Sequence, residues 1–120
     1  MLLGHFFTIL EFTHQESVIR VKVEFNAEHP IFKGHFPNLP VVPGVCQTQM
    51  LIETMSYVLG RKIELKIATH IKFLALLNPV KNKVLDMEIK IEKEALGILH
   101  VSATYTAETE LFFRFKGELN

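Results

Sequence analysis

This chain of 120 residues has a single cysteine, Cys46. One cysteine excludes an internal disulfide and cannot supply a cysteine-cluster metal site. Cytoplasmic residence is the simplest reading of that scarcity. No block of one charge sign exists either: thirteen basic residues cancel thirteen acidic ones, for a net charge of zero. Such a balance argues against a general nucleic-acid surface and against an anionic-membrane surface. No stretch approaches the ~20 apolar residues needed to span a bilayer, so membrane insertion is not expected. The apolar start, Met1 to Leu10, lacks the basic leader and small-residue cleavage site of a signal peptide. Internal repeats, low-complexity tracts and linkers are missing too. What is left is one domain over residues 1–120, 48% hydrophobic and large enough for one core.

Proline is rare except in one place. Pro30, Pro37, Pro40 and Pro43 fall within fourteen residues, and only Pro79 lies elsewhere. Each proline lacks an amide donor and fixes φ, so this window is neither a helix interior nor a central strand. A stiff, extended loop is expected, with Pro43-Gly44 standing where a helix begins. A rigid loop that presents a histidine beside unpaired helix amides is a plausible frame for a reactive site.

Around the loop the pattern is mostly strand. In Ser17–Phe25, Ile19, Val21, Val23 and Phe25 alternate with Arg20, Lys22 and Glu24. That is a half-buried strand, with Leu2–Phe12 as its hairpin partner across Thr13–Glu16. Val45–Leu59 is the one long helix. At about 100° per residue, Thr48, Leu51, Ile52, Met55, Val58 and Leu59 gather on one side, and Gln49, Glu53 and Ser56 on the other. Gly60 follows as a natural C′ residue. Further strands are expected at Lys66–Leu77, Val84–Lys93, Gly97–Ala107 and Leu111–Leu119. The sum is an α+β domain: about six mainly antiparallel strands in a curved sheet wrapped around one central helix, the hotdog arrangement.

The order of elements and the loop together resemble the hotdog-fold β-hydroxyacyl-acyl-carrier-protein dehydratases of fatty-acid synthesis. The likeness is most specific at Phe32-x-Gly34-His35-Phe36-Pro37, followed by Pro40-x-x-Pro43-Gly44-Val45. Ile71-Lys72-Phe73 is similar to the family's strand after the helix. The resemblance implies a 3-hydroxyacyl thioester substrate on acyl carrier protein or coenzyme A, no cofactor, and a homodimer or higher homo-oligomer. In relatives, the histidine and the acid of one site come from different subunits. One position departs from the pattern. The family's Glu or Asp, four residues after the valine of Pro-Gly-Val, is here Gln49, and a carboxylate stands one turn later as Glu53.

Dehydration needs a base for the α-proton, an acid for the leaving β-hydroxyl, and donors for the thioester oxygen. An imidazole titrates near working pH, and the resemblance makes His35 the base. Exposed amides at the helix start, around Pro43, Gly44 and Val45, are suited to the thioester oxygen, with Phe36 beside them. Gln49 can hydrogen-bond but cannot usefully transfer a proton. Glu53 lies roughly 6 Å further along the axis and leans back towards the N-terminus, so it is a candidate replacement acid. The alternative is that Glu53 belongs to a structural polar stripe. Cys46 could form a nucleophilic pair with His35, or be only a small buried residue. His29 reads as a loop anchor. His5, His14, His70 and His100 show no metal-ligand spacing, and no metal is expected. Beside the dehydratase stand two rivals: a non-catalytic acyl-binding or partner hotdog subunit, and an acyl thioesterase.

Overall fold

The computed structural model describes residues 1–34 and 38–120. His35, Phe36 and Pro37 lie outside the described residues. Six strands form one sheet: β1 (Phe7–Gln15), β2 (Val18–Phe25), β3 (Leu65–Phe73), β4 (Val84–Ala95), β5 (Ile98–Ala107) and β6 (Glu110–Leu119). Their spatial order is β1-β2-β4-β5-β6-β3, and every pairing is antiparallel. A four-residue helix, α1 (Ile31–Gly34), and a long one, α2 (Gly44–Leu59), separate β2 from β3. This is the hotdog architecture that the strand count and the single long helix imply.

Tight hairpins link β1 to β2, β4 to β5 and β5 to β6. In each, a loop residue takes a left-handed conformation: Glu16, Leu96 and Glu108, all at φ 56°. Leu96 is followed by Gly97 at φ 79°, two consecutive positive φ values that match the right-handed twist of the flanking strands. β1 therefore runs on to Gln15. The expected strand over Leu2–Phe12 starts late, because the Leu2 carbonyl accepts from the His5 and Phe6 amides in a turn.

The alternating residues of β2, β4 and β5 behave as their period predicts. Ile19, Val21, Val23, Leu85, Met87, Ile89, Leu99, Val101 and Ala103 are buried on one face. On the other face, Arg20 pairs with Glu88 at 3.2 Å and Lys22 with Asp86 at 2.8 Å, directly across the β2–β4 register. Helix α2 crosses the buried face. Its Thr54 hydroxyl reaches the Met87 sulfur of β4 at 3.9 Å, and the Gln47 carbonyl accepts from the Tyr105 hydroxyl of β5 at 2.7 Å. Gly60 ends the helix in the left-handed region, φ 70°, its amide bonded to the Ser56 carbonyl at 3.0 Å.

The buried arc of α2 differs from the expected one. It comprises Cys46, Gln47, Met50, Leu51, Glu53, Thr54 and Met55, while Thr48, Ile52, Val58 and Leu59 are only half-buried. The arc is turned because the polar Gln47, Glu53 and Thr54 within it find hydrogen-bond partners.

The proline window also differs from a purely extended loop. The His29 imidazole Nδ1 accepts the Ile31 amide at 3.1 Å, and the His29 carbonyl accepts the Phe32 amide at 3.0 Å, which starts α1. Phe32 stacks on Phe6 with centroids 5.0 Å apart, and His29 meets the same ring edge-on at 5.3 Å. His29 is thus a capping and packing residue.

Candidate active site

The site is built around the start of α2. Pro43 precedes the helix in an extended conformation, φ −60° and ψ 146°, and its carbonyl accepts both the Cys46 and the Gln47 amides. The Gly44 and Val45 amides come too early in the helix for an internal partner and carry the positive end of its dipole. Val45 is 78% exposed, so this end of the helix is open.

Gly44 is not here for a turn. A Cβ at this position would lie 2.7 Å from Cζ of Phe73 and 2.9 Å from Cε2, so only glycine lets the Phe73 ring lie against the helix start. Phe73 in turn meets Phe113 at 5.7 Å, and Phe113 stacks on the buried Tyr105 at 4.3 Å. An unbroken row of aromatic rings therefore runs from the core to the mouth of the helix. Burial pushes the Tyr105 hydroxyl well above its ordinary pKa, so it stays a neutral donor to the helix carbonyl.

Gln47 was not singled out by sequence reasoning. It is 3% exposed, and its Nε2 donates to the Val42 carbonyl at 3.1 Å. With the Val42 amide bonded to the Leu77 carbonyl at 2.8 Å, this ties the loop before the helix to the rest of the chain. No described group donates to Gln47 Oε1. Nothing in the spacing marks Gln47 as buried. The signal for Phe73 was present, since a glycine at a helix start can mean close approach of a neighbour.

One turn further, Gln49 is exposed and Glu53 is 6% exposed. Glu53 Oε1 accepts the Leu2 amide at 2.9 Å and the Leu3 amide at 2.8 Å; Oε2 accepts the Leu2 amide at 3.1 Å and Gln49 Nε2 at 2.9 Å. Burial works to raise the Glu53 carboxyl, but the Leu3 and Leu2 amides and Gln49 together outweigh it. The group is held below its ordinary pKa. Ser56 completes the stripe differently: its hydroxyl donates to the Ile52 carbonyl at 2.8 Å and accepts the Ile63 amide at 3.0 Å.

Beside this stripe lies an open cavity of about 430 Å³, lined by Leu3, Gln49, Glu53, Ser56, Tyr57 and Arg61 among others. Cys46 is buried, and burial pushes its thiol up, away from the reactive thiolate. No cluster of three metal-ligating side chains occurs among the described residues. No described helix is long and apolar enough to cross a membrane. Of the candidate residues, the fold brings Gly44, Val45 and Pro43 together at one end of α2 and couples Gln49 directly to Glu53. His35 and Phe36 fall in the segment outside the described residues.

The ApeI-like family model, described as ApeI dehydratase, matches residues 11–112. The chain belongs to the ApeI-like dehydratase family. It is 28% identical to the 3-hydroxyacyl-acyl-carrier-protein dehydratase FabZ of Fusobacterium nucleatum over 118 residues, 88% of this chain and 81% of that protein. A FabZ from Polynucleobacter asymbioticus shares 39% identity over 46 residues, 38% of this chain and 30% of that one. Among solved structures, the dehydratase heterocomplex ApeI:P from Xenorhabdus doucetiae contains a chain that superposes with a TM-score of 0.76. That match has 18% identity and covers 92% of this chain and 95% of the other. A putative thioesterase from Ralstonia eutropha shares the fold at a TM-score of 0.63 and 10% identity, over 91% of this chain and 82% of its own. An ApeI-like member is thus a dehydratase-type hotdog protein.

Proposed function

We propose that this ApeI-like protein dehydrates 3-hydroxyacyl thioesters to trans-2-enoyl thioesters in fatty-acid or related acyl-chain synthesis, in the cytoplasm. Acyl carrier protein is the preferred carrier, with coenzyme A as the other. The observation that carries the reading is the open start of α2. Its first amides have no partner among the described residues, and the Phe73 ring packs against Gly44. Those amides, of Gly44 and Val45, donate to the thioester oxygen as charge builds on it during α-proton removal. His35 takes the α-proton, and the β-hydroxyl leaves as water. The family resemblance adds Phe36 and Pro43 as residues that bind the substrate.

Glu53 is not the acid in this reading. An anion held by three donors has its proton affinity lowered, whereas a general acid needs it raised. The proton for the leaving hydroxyl comes instead from a partner subunit. Dimerisation follows from β3, an edge strand whose residues are exposed throughout, including Ile67, Ile71 and Phe73. Pairing two such edges covers them and brings two sites together.

Hydration of a crotonyl thioester by the purified protein tests the activity, with His35→Ala as the control. A loss of about 10²-fold or more is expected for the variant. Wild-type rates in His35→Ala would overturn the assignment. A second reading, a non-catalytic subunit that pairs with an active homologue, is favoured by the lack of a proton donor beside Gln49 among the described residues. It predicts no turnover alone and turnover in a mixed assembly.

A further inference from the structure

Gln49 and Glu53 are not two candidates for one role. We infer that Glu53 is a positioning residue for Gln49: it fixes the carboxamide so that its carbonyl oxygen faces outwards as a hydrogen-bond acceptor for the substrate's β-hydroxyl. The inference rests on the dehydratase reading for the identity of the ligand, though not for the geometry.

Its first support is the identity of the donors around Glu53. Two backbone amides and one side-chain amide converge on a nearly buried carboxylate. Backbone amides cannot become acceptors, so Glu53 has every reason to remain an anion, with acceptor capacity only. The Gln49 group facing Glu53 at 2.9 Å must therefore be its NH2, since its oxygen would be repelled. The orientation of an exposed glutamine, usually free to turn over, is decided by its buried neighbour.

The second support is what this leaves. With Nε2 committed to Glu53, Oε1 of Gln49 points away, and no described group donates to it. Gln49 also lines the open cavity, whose other walls include the apolar Leu3 and Ile52. Arg61 and Lys62 also line the cavity. The acceptors of Glu53 and Ser56 in the same wall already hold partners, so the Gln49 oxygen is the one left to discriminate by polarity. A hydroxyl donates to it, whereas a methylene at the same place leaves the carbonyl without a partner and loses affinity. A glutamine in this setting selects the 3-hydroxyacyl chain over the saturated one. It does so without giving up a proton, a different task from that of the carboxylate the related dehydratases carry at this place.

The test uses the intact protein and two readouts that do not need turnover. In nitrogen–proton NMR, one Gln49 side-chain proton is expected downfield, shifting with the titration of Glu53 and losing that response in Glu53→Gln. Binding of 3-hydroxybutyryl pantetheine is then compared with binding of butyryl pantetheine. The hydroxylated ligand is expected to bind roughly tenfold tighter to the wild type, the worth of one well-placed hydrogen bond. The preference is expected to vanish in Gln49→Leu and in Glu53→Gln. Leu3→Pro, which removes one amide from Glu53 without touching Gln49, is expected to keep it; loss there would mean that Glu53 acts only by holding the N-terminal segment. A wild type with no preference, or a Gln49 amide indifferent to Glu53, overturns the inference. A wild type that shows both and yet turns nothing over overturns the dehydratase reading instead.

Discussion

The Phe73 ring occupies the space that any side chain at position 44 would need. This relationship joins an edge strand to the start of the long helix, and it makes the site's geometry depend on a residue 29 positions away in the chain.

Gly44→Ala is expected to lower both stability and activity. The added methyl must push the ring aside, at about 1–3 kcal/mol if the ring stays close. Phe73→Ala alone opens a gap, but the double variant is expected to recover part of the loss. Denaturant melts of the two single variants and the double variant give the coupling, with about 1 kcal/mol expected for groups in contact. Simple additivity would mean that ring and glycine do not interact.

Gly117→Ala is expected to be worse. A Cβ at Gly117 of β6 would run into the Ile67 carbonyl of β3, a backbone atom with little room to yield, beside two shifts in the β3–β6 register. A loss near 3 kcal/mol, or roughly 10 °C in Tm, is expected. A melting temperature within a degree of wild type would rule out this close approach.

Glu53 gives a pH dependence with a definite sign. Its folded pKa lies below the unfolded value near ~4.3. The stabilisation it provides is therefore complete above that unfolded value and is lost as pH falls through the folded one. At pH 7, Glu53→Gln is expected to cost about 1–3 kcal/mol, because amides at Leu2 and Leu3 lose a charged acceptor. The gap between variant and wild type narrows in acid. Unfolding curves at pH 7 and pH 3 check this, and a gap that widens would contradict it.

The β3 edge predicts association. Light scattering at micromolar concentration is expected to report a dimer, and Ile67→Lys is expected to shift it towards monomer, since lysine on an edge opposes pairing. A monomeric wild type would remove the basis for a site shared between subunits.

Much of the fold is legible in the sequence because strict alternation survives in β2, β4 and β5, where one face is buried and the other wet. Gly60 likewise announced its left-handed cap. The turned face of α2 was not legible. Gln47, Glu53 and Thr54 are polar by type yet buried, because a loop carbonyl, two distant amides and a methionine sulfur receive them; Tyr57 is apolar by type yet exposed. Residue type reports the cost of burial, not whether a partner fifty residues away removes it. The motif marks the start of the helix, but that Phe73 is what makes Gly44 necessary there emerges only in the folded chain.

Ser56 has a consequence for motion. Its hydroxyl bonds back to Ile52 and forward to the Ile63 amide, while its carbonyl takes the amide of Gly60. The short connection from α2 to β3 is therefore fastened to the last turn of the helix at two points. In hydrogen exchange, the Gly60 and Ile63 amides are expected to open together with that turn, at its free energy, and not at the near-zero cost of an ordinary surface loop. The boundary between helix and loop, sharp in geometry, dissolves in time.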